Sequence, residues 1–244
     1  MMKDTGIKRI LLKLSGETIM GPKGFGIDFD ACKEISKSIK AIHSQDIELG
    51  IVIGGGNIFR GINLSNSDME RTPADHMGML ATLMNGTALQ QAIQLQGCPV
   101  RLMSALDCPK VADSYNWRKA HEYLQAGEIV IFVGGTGSPY FTTDTASALR
   151  ASEIHADILL KATKVDGIYS KDPLKFPDAV KYDTITYKEA LEEELKIMDA
   201  TAFALCMSES IPIFVFNMER LNKLLIRDIL SDHKHGTIVT EENK

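Results

Sequence analysis

Apolar residues in this chain come in short unbroken runs, and most of the runs stop at glycine or lysine. Arg9–Leu14 ends in Ser15-Gly16, the run at 49–53 in Gly54-Gly55-Gly56-Asn57, and Ile129–Val133 in Gly134-Gly135-Thr136-Gly137. A fourth run, at 158–160, ends in Lys161-Ala162-Thr163-Lys164. Runs this short are too brief for helices and predict strands buried on both faces. Further strands are expected at 100–103, at 211–216 with Asn217 closing it, and at an edge, Gly236–Thr240.

Between the runs the apolar spacing turns helical. Residues 30–45 place Ala31, Ile35, Ile39 and Ile42 on one face, with Asp28 or Asp30 as cap. After a loop at 58–73, residues 75–96 read as one long helix opened by Asp75, with Met79, Leu83, Leu89 and Ile93 inward. Gly97-Cys98-Pro99 stops it. Helices are also expected at 114–126, 142–154, 187–196, 199–209 and 219–230, the second of these starting from a Thr-Thr-Asp-Thr cap. Strands alternating with helices predict an α/β fold: a mainly parallel central sheet with helices on both faces, in three layers. No linker or repeat interrupts the 244 residues, so a single domain with two lobes is expected, roughly 1–150 and 151–244.

Composition narrows the partners. The net charge of −5 and the lack of a basic block argue against nucleic acid. No apolar run approaches the ~20 residues that cross a bilayer. The start, Met1-Met2-Lys3-Asp4, lacks an apolar signal segment, and the four cysteines (Cys32, Cys98, Cys108, Cys206) have no metal or redox spacing. Reduced thiols in a cytoplasmic protein are expected.

The chemistry gathers where the strands stop. Glycines there leave backbone N–H groups open to an anion. Lys13 before Ser15-Gly16 and Lys161 at the end of the fourth run could hold opposite sides of one phosphoryl group. Three consecutive glycines exceed what a turn needs, and Arg60 follows closely. Gly135 to Asp144 offers hydroxyls, N–H groups, an aromatic ring and a carboxylate ahead of a helix, with Asp144 as its candidate cap. Asp75 reads as a helix cap or as a grip on a diol, and His76 as structural. Tyr169 could flank a base, and Asp172 before Pro173 is a turn residue or a ligand contact. The chain has no G-x-x-x-x-G-K-[ST] and no G-x-G-x-x-G, which disfavours P-loop and nicotinamide-binding folds.

Taken together, Lys13-Leu14-Ser15-Gly16, Gly54-Gly55-Gly56-Asn57-Ile58-Phe59-Arg60-Gly61, Asp75-His76-Met77-Gly78-Met79-Leu80-Ala81-Thr82 with Met84-Asn85-Gly86, Gly135-Thr136-Gly137-Ser138-Pro139-Tyr140-Phe141-Thr142-Thr143-Asp144 and Leu160-Lys161-Ala162-Thr163-Lys164-Val165-Asp166-Gly167 resemble the bacterial-type uridylate kinases of the amino acid kinase fold. The match runs from about 8 to 240. The resemblance implies transfer of the ATP γ-phosphoryl group to UMP with Mg²⁺, the metal held mainly by nucleotide phosphates. It assigns Lys13, Leu14, Ser15, Gly16, Gly56, Arg60, Thr163, Tyr169 and Asp172 to ATP. It assigns Gly55, Asp75, Thr136, Gly137, Ser138, Pro139, Tyr140, Phe141, Thr142 and Thr143 to UMP. Lys13, Lys161, Arg60 and Asp144 become the catalytic candidates.

A homohexamer inhibited by UTP is implied, with GTP activation linked to Gly21, Pro22, Lys23, Gly24, Phe25 and Gly26. Ser138 stands where many members carry asparagine, and Gly134 where alanine is common. Two rival readings remain: a kinase of this fold with another acceptor, and a non-catalytic nucleotide sensor.

Overall fold

The computed structural model describes residues 6–59, 69–195, 197–222 and 224–241. The elements in chain order are β1 (Arg9–Leu14), α1 (Phe29–His43), β2 (Glu48–Ile53), α2 (Arg71–Leu95), β3 (Val100–Ser104), β4 (Asp113–Ser114), α3 (Trp117–Gln125), β5 (Ile129–Val133) and α4 (Thr143–Glu153). Then follow β6 (Ile158–Thr163), β7 (Ile168–Tyr169), β8 (Lys181–Tyr182), β9 (Thr184–Thr186), α5 (Tyr187–Glu192), α6 (Ala200–Ser208), β10 (Ile213–Asn217), α7 (Ile226–Ser231) and β11 (Gly236–Thr240).

Among the described residues, nine strands form one sheet in the order β4-β3-β5-β2-β1-β6-β10-β11-β9; β7 and β8 make a separate hairpin. Every pairing in the large sheet is parallel except β10 with β11. The α/β, mainly parallel architecture is the expected one.

Because side chains alternate along a strand, the two faces of the sheet feed separate cores. Ile10, Leu12, Leu14, Leu49, Ile51, Ile53 and Leu160 pack against α1, α2 and α7. Leu11, Val52, Val130, Phe132 and Leu159 pack against α3, α4, α5 and α6. The same parity governs the strand ends. Lys13 and Lys161 follow Leu11 and Leu159 by two residues, so both side chains emerge on the α4 face. The parallel register sets Lys13 directly opposite Lys161.

Several boundaries differ from the sequence expectation. Helix α2 starts at Arg71, so Asp75 lies in its second turn; Glu70 occupies the cap position without a side-chain hydrogen bond. Pro73 fits in the first turn because no intrahelical N–H is required there. Of the two candidate caps for α1 it is Asp28 that acts, accepting from the N–H groups of Asp30 and Ala31. His76 and Met77 are exposed, whereas Met79, Leu83, Leu89 and Ile93 are buried as expected.

The segment at 219–230 is not one helix. Met218–Asn222 is a 3₁₀ turn, Leu225 is extended, and α7 follows. Gly236–Thr240 is not an edge strand either, since β9 pairs outside it. The three-residue β9 and the two-residue β7 and β8 carry no apolar run long enough to signal a strand.

Candidate functional site

At the carboxyl ends of β1 and β6 the two lysines close on one carboxylate. Asp144, in the first turn of α4, lies 2.8 Å from Lys13 Nζ through Oδ1 and accepts a 2.9 Å hydrogen bond from Lys161 Nζ at Oδ2. Lys161 also donates to the Ile197 carbonyl at 2.6 Å. All three side chains are about 85 % shielded. Burial raises the Asp144 pKa, but Lys13 and Lys161 more than offset this, leaving the carboxyl below its ordinary value. Burial depresses Lys161, and Asp144 only partly restores it. Asp144 is not the cap of α4; Thr142 is, through its hydroxyl on the Asp144 N–H.

The bridge sits between two cavities. The larger, about 950 Å³, is lined by Lys13, Ser15, Glu17 and Thr18 after β1, by Glu34, Ile35 and Ser38 of α1, by Lys161 to Val165, and by Asn217, Met218 and Glu219. It draws on both halves of the sheet. It shares lining residues with two neighbouring hollows by the β7–β8 hairpin, one including Tyr169 and Arg220 and one including Tyr169 and Asp172. The smaller cavity, about 210 Å³, is lined by Gly55, Gly56, Phe59, Ala74, Asp75, Gly78, Met79, Thr82, Gly135, Ser138, Phe141, Thr142 and Thr143.

Local bonds explain why these turns hold their shape. Ser15 caps the 3₁₀ turn after β1 by accepting from the Glu17 N–H. A Cβ on Gly16 would come within 2.3 Å of Asn57 Oδ1 and 2.6 Å of the Gly54 carbonyl. No other residue fits there. Thr82 of α2 accepts the Gly134 N–H at 2.8 Å, fixing the turn after β5. Asp75 accepts the Tyr140 N–H at 2.7 Å, and Arg71 lies over the Tyr140 ring. Asp199, the cap of α6, takes hydroxyl hydrogen bonds from both Thr142 and Thr145.

The structure thus gathers Lys13, Ser15, Lys161 and Thr163 around the large cavity, with Tyr169 and Asp172 at its extensions. Leu14 is buried in the core, and Gly16 underlies the turn. Gly55, Asp75, Ser138, Phe141, Thr142 and Thr143 line the small cavity, and so does Gly56, which sequence reasoning assigned to the other side. Gly137, Pro139 and Tyr140 complete that loop, with Tyr140 at φ 75°. Thr136 instead lines a separate hollow with Ser104, Tyr115 and Arg150. Arg60 lies outside the described residues. Asp172 acts as a turn residue, accepting the Leu174 N–H at 3.0 Å and pairing with Lys175. Tyr169 donates to Asp166, which pushes its hydroxyl up to about 12.

Gly21 to Gly26 form a 3₁₀ turn and a loop stitched to Asn57. Sequence reasoning missed Glu17, Glu34, Ser38, Asn217 and Glu219, polar residues on an ordinary helix face or strand end. It also missed Thr82, hidden inside α2. Among the described residues no group of three His, Cys, Asp or Glu side chains could hold a metal ion, and no helix is long and apolar enough to cross a membrane.

Two cavities joined by a lysine–carboxylate–lysine bridge at the ends of parallel strands define an α/β protein built to handle phosphate. Comparison with known proteins agrees. Residues 8–217 match the amino acid kinase family model. The uridylate kinase of Protochlamydia amoebophila is 64 % identical over 96 % of this chain and 93 % of its own. That of Shewanella baltica is 49 % identical over 95 % and 94 %. The crystal structure of UMP kinase from Bacillus anthracis superposes with a TM-score of 0.92 at 34 % identity, covering 97 % of each chain. The UMP kinase of Ureaplasma parvum gives 0.88 at 38 %, covering 96 % of this chain and 99 % of that one. The chain belongs to the amino acid kinase family, within its uridylate kinase branch.

Proposed function

We propose that this protein transfers the γ-phosphoryl group of ATP to UMP, giving ADP and UDP for pyrimidine nucleotide synthesis. The observation that carries the reading is the Lys13–Asp144–Lys161 bridge between a large and a small cavity. ATP takes the large cavity, its base and ribose reaching toward Thr163, Tyr169 and Asp172. UMP takes the small one, against Gly55, Asp75 and the loop from Thr136 to Thr143. The N-terminal half of the sheet then supplies the acceptor lobe and the C-terminal half most of the donor lobe.

A UMP phosphate oxygen attacks the γ-phosphorus as the bond to the β–γ bridging oxygen breaks. The acceptor is already largely ionised near neutral pH, so no strong base is needed. Alignment and charge neutralisation dominate. Lys13 and Lys161 exchange contact with Asp144 for contact with the moving phosphoryl oxygens, and Asp144 holds them in place until then. Ser15, the glycine N–H groups and Arg60 position the phosphates. Mg²⁺ bound to the ATP phosphates would supply further charge neutralisation. Asp144, held beside both lysines, would be the carboxylate facing such a metal, which would rest mainly on phosphate and water.

The protein is expected to work in the cytoplasm as a homohexamer. Its four free thiols, Cys32, Cys98, Cys108 and Cys206, suit a reducing compartment. Exposed Met77, Leu80 and Met84, spaced by three and four residues on α2, give an apolar face for self-association. UTP is expected to inhibit, and GTP to activate through the segment Gly21 to Gly26. The test is ADP release from Mg-ATP with UMP, CMP, AMP or GMP, each with and without GTP and UTP. Turnover with UMP alone supports the reading; ATP binding without turnover of any monophosphate overturns it.

A further inference from the structure

We propose that Asn57 and Asn85 act as one positioning unit that sets the Gly54-Gly55-Gly56 turn against Gly16 across the phosphoryl-transfer path. The inference rests on the phosphoryl-transfer reading above. Both side chains are shut off from solvent, at 2 % and 0 % exposure. Asn85 Nδ2 donates to the Gly54 carbonyl at 2.7 Å and to Asn57 Oδ1 at 2.6 Å. Asn57 Nδ2 donates to Asn85 Oδ1 at 3.0 Å and to the Gly26 carbonyl at 2.7 Å. All four amide hydrogens are therefore committed. The Asn57 carbonyl in turn accepts the Gly26 N–H at 2.8 Å.

Every bond runs to the Gly54 or Gly26 backbone or to the other amide. The pair touches the turn after β2 and the loop ending at Gly26, and it crowds Gly16, where a Cβ would sit 2.3 Å from Asn57 Oδ1 and 3.1 Å from Asn85 Nδ2. Asn85 also stands on α2, whose preceding turns supply Asp75, Gly78, Met79 and Thr82 to the small cavity. A plain core would be cheaper, since buried amides gain little net free energy even when fully bonded. What the pair adds is a fixed spacing between turns that flank the donor and acceptor cavities. Misplacement of about 1 Å in such a site costs on the order of 10²-fold in rate.

The amides touch no substrate, so the unit should govern turnover more than binding. Two substitutions separate its links. Asn85→Asp removes the donors to Gly54 and Asn57, putting a carboxylate against the Gly54 carbonyl. Asn57→Asp keeps the acceptor for Asn85 but removes the donors to the Gly26 carbonyl and to Asn85 Oδ1. The measurement is kcat and both KM values for wild type, the two aspartate variants, and Asn57→Ala, Asn85→Ala and their double variant (alanine, because two buried aspartates side by side would repel), with thermal melts confirming the folded fraction.

The expected result is that kcat per folded molecule drops about 10- to 100-fold in Asn85→Asp while either KM moves less than about threefold. The double variant should fall no further than the worse single one, because the two amides work as a unit. Wild-type kcat in folded Asn85→Asp, or losses that multiply in the double variant, would overturn the unit. Should Asn85→Asp fail to fold, unchanged kcat in Asn57→Asp overturns it equally. Wild-type turnover of UMP is read in the same series, so a failure of the kinase reading is seen separately from a failure of the pair.

Discussion

The two cavities are built on opposite plans. The small one, about 210 Å³, is walled by glycines, a methionine and short hydroxyls, and its polar groups are tied down by backbone contacts such as Thr82 to Gly134 and Asp75 to Tyr140. The large one, about 950 Å³, sets charged side chains such as Lys13, Glu17, Glu34 and Lys161 beside apolar ones such as Ile35, Val165 and Met218, and its Glu17 pairs with the largely exposed Lys164. A tight pocket discriminates by shape and by fixed donors, so a wrong occupant leaves buried groups unpaired. A roomy pocket of mixed apolar and charged lining grips phosphates through its few cations and tolerates adjustment elsewhere. Selectivity should therefore reside in the small cavity, while the large one supplies charge and leaving-group contacts.

The sharpest test of that contrast lies on the bridge between the cavities. Lys13→Ala and Lys161→Ala are each expected to lower kcat by about 10²–10³-fold while UMP binding changes little, measured by steady-state kinetics beside UMP titration. Survival of kcat within a few-fold would remove the lysines from the chemistry. Next in size, Thr82→Val keeps the shape of the side chain but strips the Gly134 N–H of its acceptor inside the small cavity. A stability loss of about 1–3 kcal/mol is expected. A thermal melt should register it, and KM for UMP should rise more than KM for ATP.

A third test uses pH. Because Asp144 titrates below its ordinary value when folded, the unfolded chain binds more protons in the window between the folded pKa and 3.8. The stability it contributes is present above that window and drains away as pH falls through the folded pKa. Asp144→Asn should flatten the acid limb of a stability-versus-pH curve. An unchanged slope would mean the bridge is not linked to folding. Smallest of all, Lys164→Ala breaks an ion pair with one exposed partner, and less than about 1 kcal/mol should be lost. A larger loss would show the mouth of the large cavity to be stiffer than its plan implies.

What could be read from the sequence follows the same division. Strands β1, β2, β5 and β6 were legible because each is buried on both faces and ends at glycine or lysine. Lys13 and Lys161 were legible as strand-end lysines able to flank one phosphoryl group, but that both emerge on the α4 face needed the register of β1 against β6. The small cavity was partly legible, since Gly55, Asp75 and the hydroxyls before α4 stand out. Thr82 and Asn85 entered only as members of the resembling string, with no role of their own, because a polar residue inside a helix looks like any solvated position until the partner strands are placed. Pro73 masked the true start of α2, as proline inside a helical pattern ordinarily marks a break. The short strands β7, β8 and β9 escaped because their pairing depends on tertiary contacts, such as the Thr237 hydroxyl on the Ile168 N–H, rather than on apolar pattern. The role of Asp144 as common partner to both lysines needed three elements distant in sequence.

The register of β1 against β6 has one more consequence. Neighbouring parallel strands lie about 4.8 Å apart whatever they carry, so the spacing of the two lysines is a property of the sheet rather than of either pocket. The walls of the small cavity come from the turn after β2, from α2 and from the loop between β5 and α4, none of which sets that spacing. For protein engineering, the scaffold suggests an interchangeable acceptor cassette mounted beside a permanent pair of cations: exchanging residues 135–141, short of the Thr142 cap that holds the start of α4, is expected to change what is phosphorylated and to leave the lysine pair in place.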